Sequence, residues 1–184
     1  MMEKSSETQR IVEELDTSAR QVNREAIAAI IEKIKNHDRI FVYGTGRSGL
    51  MLKAFAMRLM QMGFTAYVVG ETTTPSVGKG DLLVVASASG ETGSVNLTAR
   101  SARDQGVELL VISAQPDSTL AGIQKPDVLI DAGTKFSHSA SSIQPLGSLF
   151  EQMLLILFDT IILKMTRQSQ TGDKGMAERH ASLE

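Results

Sequence analysis

Short apolar runs alternate with helix-forming stretches through the middle of this chain, and that alternation narrows its possible folds most. Arg39–Tyr43, Ala66–Val69, Asp81–Ala86, Val107–Ile112 and Val128–Asp131 read as strands. Helices are expected between them over about 48–62 and 92–105, with a short helical turn over Ser118–Ile123. Apolar runs without polar alternation belong to strands buried on both faces, and strand–helix–strand units pair their strands in parallel. The expected fold class is α/β: a three-layer α-β-α sandwich around a five-stranded parallel sheet. At 184 residues the chain can form one such domain with a full core, and no repeat or second domain is visible.

Helical sequence flanks this frame, whose core spans about 36–166. Over 5–36, Ile11, Leu15, Val22, Ile27, Ile30, Ile31 and Ile34 recur at helical spacing, with a break expected near Asp16-Thr17-Ser18. His37 follows as a solvated turn residue. Leu149–Met165 is apolar nearly all round, so it is expected to be buried on most sides, partly by another subunit. From Thr166 onward the chain is polar and expected to be loose.

Two loops carry the chemistry. Leu82-Leu83-Val84-Val85-Ala86 runs into Ser87-Ala88-Ser89-Gly90-Glu91-Thr92, after which a helix begins. The first amides of a helix lack partners within it, and its dipole is positive there, so an anion is favoured. Ser87, Ser89 and Thr92 add hydroxyls, and Gly90 permits close backbone approach. One hydroxyl would be an ordinary cap; three in six residues suit the several oxygens of a phosphate. The second loop, Gly44-Thr45-Gly46-Arg47-Ser48-Gly49, lies between the first strand and its helix. It matches a dinucleotide-binding pattern, and Glu71 ends the next strand where a ribose-binding acid would sit. Arg47 and Ser48 offer the rival reading: a cation and a hydroxyl directed at the same phosphate. Right-handed crossovers place both loops at the carboxyl edge of the sheet, where α/β folds bind ligands.

Other classes are disfavoured. A net charge of -2 gives no field for nucleic acid. Without cysteine there are no disulfides or thiolate metal sites, and the three histidines are too scattered for zinc. Met153–Leu163 is too short for a bilayer span and is interrupted by Asp159. The first residues carry no apolar signal core, so a cytoplasmic protein is expected.

Two titratable groups are candidates for catalysis. Glu151 lies one turn into the greasy helix; a desolvated carboxylate there can act as a general base. The same residues, Ser148-Leu149-Phe150-Glu151, also spell a capping box, in which Glu151 would only reach back to the Ser148 amide. His138, in the serine-rich stretch before that helix, is a candidate acid or proton shuttle. Asp159 reads as an interface or buried polar contact.

Ser-x-Ser-Gly-Glu-Thr after an apolar strand resembles the sugar isomerase (SIS) domain, which binds phosphosugars. Gly44–Gly49, Ala54-Phe55-Ala56-Met57-Arg58-Leu59, Val69-Gly70-Glu71-Thr72-Thr73-Thr74-Pro75 and Ser142–Gln152 are similar to 6-phospho-3-hexuloisomerases. The resemblance covers about residues 5–166, and Ser142–Gln152 is its most specific part. It implies a SIS fold of flavodoxin-like or Rossmann-like strand order and no organic cofactor or metal. It also implies a homo-oligomer, usually a tetramer, working after the synthase that joins formaldehyde to ribulose 5-phosphate. The implied reaction interconverts D-arabino-hex-3-ulose 6-phosphate and fructose 6-phosphate through an enediol. The implied base is Glu151, with His138 as a candidate shuttle. Ser48, Ser87, Ser89 and Thr92 would hold the phosphate, with Gly46, Arg47, Gly90 and Gln144 completing the substrate contacts. Ala88 stands where related SIS enzymes often have Gly or Gln, and His138 has no firm counterpart in the hexuloisomerase pattern.

Overall fold

A computed structural model describes residues 6–132, 142–169 and 172–182 of the chain. Its elements run α1 (Glu7–Gln21), α2 (Arg24–Lys35), β1 (Arg39–Tyr43), α3 (Gly46–Gln61), β2 (Thr65–Val68) and β3 (Leu82–Ser87). They continue α4 (Gly93–Asp104), β4 (Glu108–Ser113), α5 (Thr119–Ile123), β5 (Val128–Leu129), α6 (Ser148–Gln168) and α7 (Gly172–Glu178). The sheet order is β2-β1-β3-β4-β5. Every pairing is parallel, with Tyr43 opposite Val85 and Ser87 opposite Ser113. Strand order reverses between β1 and β3, so the ligand crevice of such a fold opens beyond their carboxyl ends.

The period of two along each strand builds the layers. Ile40 and Val42, Leu82, Val84 and Ala86, and Leu110 and Ile112 face one core, shared with α2, α3 and α6. Their neighbours Phe41, Leu83, Val85, Leu109 and Val111 face the other, shared with α4 and α5. All of β3 is buried, as its unbroken apolar run requires. Phe55 of α3 and Phe158 of α6 stack with centroids 4.2 Å apart, fixing α6 against α3. The helix α4 ends as expected: Gly106 has φ 78, and the Gly106 and Val107 amides donate to Arg103 and Ala102.

Four expectations change. The break between α1 and α2 falls at Val22-Asn23, where Asn23 caps α2 by accepting from the Glu25 amide at 2.7 Å. Asp16, Thr17 and Ser18 stay helical because each has another partner. Asp16 pairs with Arg20 at 2.9 Å, Thr17 donates to Glu13 O at 2.8 Å, and Ser18 donates to Asp131 O at 3.1 Å. His37 is held rather than solvated: Nδ1 lies 2.7 Å from Lys33 O and Nε2 lies 3.2 Å from Glu108. The tail is partly structured, since Met176 of α7 packs on the larger core and Arg179 donates to Gly175 O at 2.8 Å. Asp159 is exposed, so of its two expected roles the buried polar contact is not formed. No helix among the described residues is long and apolar enough to cross a membrane.

Candidate active site

The two loops foreseen from sequence do meet. A cleft of about 210 Å³ opens where β1 and β3 end. Thr45 and Ser48 border it from the first loop, Ser87, Ser89 and Thr92 from the second, and Gly147 and Glu151 from the start of α6. Ala86 and Ala88 complete its wall.

Thr45, Thr92 and Gly147 are the N-cap residues of α3, α4 and α6, and none of the three helices has a side-chain cap hydrogen bond. Three helix starts thus turn positive dipole ends to one crevice, and of their first residues' amides the Ser148 amide is taken, by Pro145 O. An anion with several oxygens is the ligand that satisfies them together.

The second loop is held in shape from below. Gly90 has φ 65, a region that costs any other residue strain, and a Cβ there would collide with the Ser118 hydroxyl. The Gly90 carbonyl accepts from Asn96 Nδ2 at 3.1 Å and from the Leu120 amide at 3.0 Å. Ser87 Oγ accepts from the Gly90 amide at 3.2 Å and lies 3.2 Å from Thr92 Oγ1. Ser89 Oγ accepts from the Glu91 amide at 3.2 Å. Both serine hydroxyls accept from the backbone; the Ser89 proton is left available to a ligand, and Ser87 shares one proton contact with Thr92. The Glu91 carboxylate accepts from the Thr119 hydroxyl at 2.6 Å and the Thr119 amide at 2.8 Å. Those bonds hold its pKa below the usual carboxylate value and keep its charge on α5 rather than in the cleft.

The first loop uses its glycines mainly for packing. A Cβ on Gly49 would run into the Gly44 carbonyl, and one on Gly44 would meet Leu52. Gly46 has φ 57 with open space around it, so its role is conformational. Glu71, the acid of the dinucleotide reading, lies 3.4 Å from Lys53 and does not border the cleft.

The capping-box reading of Glu151 depends on where α6 begins. Ser148 is the first residue of α6, and its amide donates to Pro145 O at 3.2 Å. The capping box is therefore not formed. The Glu151 side chain is 9% exposed, borders the cleft, and lies 2.9 Å from Arg47 Nη1. The same Nη1 donates to Ser148 Oγ at 3.0 Å, so Arg47 ties the first loop to the start of α6. Gln144 does not border the cleft; its Nε2 donates to Glu14 at 3.1 Å. His138 lies outside the described residues. Among the described residues no cluster of three or more His, Asp or Glu could hold a metal ion.

Thr45, Gly147 and Asn96 are not singled out by the sequence. Thr45 and Gly147 were legible only as helix-start positions. Asn96 acts through the Gly90 carbonyl, a partner that local pattern does not reveal.

Known proteins bear on this geometry. The SIS domain profile matches residues 33–160. A 3-hexulose-6-phosphate isomerase of Bacillus subtilis is 40% identical over 177 residues, 95% of each chain. One from Mycobacterium gastri is 39% identical over 173 residues, 94% of this chain and 87% of the other. A crystal structure from Methanococcus jannaschii, inferred to be a 3-hexulose-6-phosphate isomerase, superposes with a TM-score of 0.79. It is 30% identical and covers 97% of this chain and 99% of its own.

Proposed function

This chain belongs to the SIS domain family and, within it, to the 3-hexulose-6-phosphate isomerases, and from that premise we propose how its cleft performs the reaction. The enzyme is an isomerase that interconverts D-arabino-hex-3-ulose 6-phosphate and fructose 6-phosphate. The observation that carries the site assignment is the convergence of three uncapped helix starts beside one buried carboxylate.

The phosphate occupies the crevice between α3 and α4. Their first amides and the hydroxyls of Ser48, Ser87, Ser89 and Thr92 bind it, with Gly46 and Gly90 letting the backbone approach. Anchoring that end fixes the carbon chain, so binding energy becomes orientation. Glu151 removes the proton from C2 of the 3-ulose, and the C2–H electron pair becomes the C2–C3 double bond of the enediol. The same carboxyl returns the proton to C3, while a proton passes from O2 to O3. His138 is the candidate for that second transfer. Arg47, paired with Glu151 in the resting site, supplies positive charge beside the reacting oxygens as the enediol forms.

The chain acts as a single domain, 1–184, in the cytoplasm, as a homotetramer coupled to the synthase that supplies its substrate. Exposed Leu155, Ile156 and Leu163 on α6 support an assembled state, because exposed apolar surface of this kind marks interfaces. The test is incubation with fructose 6-phosphate and that synthase. Release of formaldehyde only when both proteins are present supports the reading; binding of fructose 6-phosphate without isomerisation overturns it.

A further inference from the structure

We infer that Glu14, on the N-terminal helix, is a positioning residue for this isomerisation: it fixes the lead-in to α6 and, through it, the carboxylate of Glu151. The inference rests on reading Glu151 as the base.

Glu14 Oε1 accepts from the Ile143 amide at 2.6 Å. Its Oε2 accepts from the Ser142 hydroxyl at 3.0 Å and from Gln144 Nε2 at 3.1 Å. Ser142 Oγ in turn accepts from the Gln144 amide at 3.0 Å, so the segment wraps the carboxylate. Such charge-assisted bonds are about twice as strong as neutral ones. The partners lie 128 to 130 residues away in sequence, so the contact is purely tertiary. Nothing on α1 borders the cleft; Glu14 instead lines a separate cavity of about 330 Å³ beside Ile143 and Leu149, so its link to the base runs through the segment it holds.

The connection from this anchor to the base is short and stiff. Pro145, Leu146 and Gly147 alone separate Gln144 from α6. Proline fixes one backbone angle, and Leu146, at φ 58, is the only non-glycine residue with positive φ among those described. The Pro145 carbonyl accepts from both the Ser148 amide at 3.2 Å and the Ser148 hydroxyl at 2.8 Å. Ser148 Oγ then receives Arg47 Nη1, the atom that also pairs with Glu151. A shift of the Ser142–Gln144 segment therefore moves Ser148, the guanidinium and the first turn of α6 together.

Steady-state kinetics of the intact enzyme carrying Glu14→Gln test this. An amide there turns its NH2 towards a donor, so the clamp loses its match. The expected result is a fall in kcat of about ten- to a hundred-fold with KM changed less than about two-fold, the mark of a misplaced base above an intact phosphate site. The double variant Glu14→Gln with Gln144→Glu re-matches the set. The amide oxygen introduced at position 14 accepts from the Ile143 amide, and the NH2 beside it donates to the new carboxylate and to Ser142 Oγ. Recovery of most of kcat in that pair is expected. Full turnover in folded Glu14→Gln, or no recovery in the pair, overturns the inference. If Glu14→Gln does not fold, Gln144→Leu removes one of the three bonds, and a lower kcat at constant KM is expected; a raised KM overturns the inference in favour of direct substrate contact. Full turnover of Glu151→Gln would defeat the underlying reading of the base. Full turnover of Glu14→Gln beside an inactive Glu151→Gln defeats this inference alone.

Discussion

The starts of helices α1 to α6 divide into two groups. Those of α1, α2 and α5 are closed by Ser6, Asn23 and Ser118, whose side chains accept from amides of the first turn. The starts of α3, α4 and α6 have no side-chain cap, and their N-cap residues border the same cleft. The first group meets its backbone needs locally and contributes to stability. The second has no side-chain cap and borders the cleft proposed to hold the substrate phosphate. The same hydroxyl residue type therefore does different work on each side: Ser118 is a cap, whereas Thr92 is a cap position whose hydroxyl turns to Ser87 instead.

The largest effect is expected where that open edge meets the chemistry. Glu151→Gln keeps shape but removes the proposed base, and turnover should fall by about 10²–10⁴-fold or more while fructose 6-phosphate binding, read by thermal shift, persists. Joint loss of binding and turnover would return Glu151 to a structural role. Next is Gly90→Ala, which forces a Cβ into Ser118 at positive φ; a stability loss of about 1–3 kcal/mol and a raised KM are expected by calorimetry and kinetics.

A matched pair then tests the division itself. Asn23→Ala, at a capped start, should cost about 1 kcal/mol in denaturant unfolding with kinetics unchanged. Thr92→Ala, at an uncapped start, should do the opposite: raise KM several-fold, with a stability change inside about 0.5 kcal/mol. Equal behaviour in the two variants would dissolve the distinction between the groups.

The smallest effect concerns Glu91. Its pKa is lowered by the Thr119 hydrogen bonds, so the folded state favours the ionised form. That stability is present above the ordinary value of 4.5 and is lost as pH falls through the lower folded value. Glu91→Gln should flatten that acid-side loss in a series of melting curves. An unchanged pH dependence would show that the Thr119 contact does not hold in solution.

Much of the fold was legible because period and length speak for themselves. The limits of β1 were read to the residue, and those of β3 and β4 to within one, since their apolar runs end at glycines and polar turns. The break between α1 and α2 falls later than Asp16-Thr17 suggest, because Asp and Thr signal caps only when nothing else engages them, and Asp16 has Arg20. The holding of His37 is hidden from local sequence for a similar reason: its partner Glu108 comes from β4, far along the chain. At the site, Ser48, Ser87, Ser89 and Thr92 were visible as a hydroxyl-rich pattern between strand and helix. The absence of a capping box at Glu151 was not, because it depends on where α6 starts, and neither was its pairing with Arg47, which reaches across from another loop. Gln144 looked like a substrate contact in sequence, yet its amide is taken by Glu14.

The most direct measurement is a crystal structure of Glu151→Gln with fructose 6-phosphate bound. The phosphate should lie against the first amides of α3 and α4, within hydrogen-bond reach of Ser48, Ser87, Ser89 and Thr92, with C2 and C3 facing residue 151. A phosphate seated elsewhere, or a carbon chain directed away from that side chain, would contradict the account.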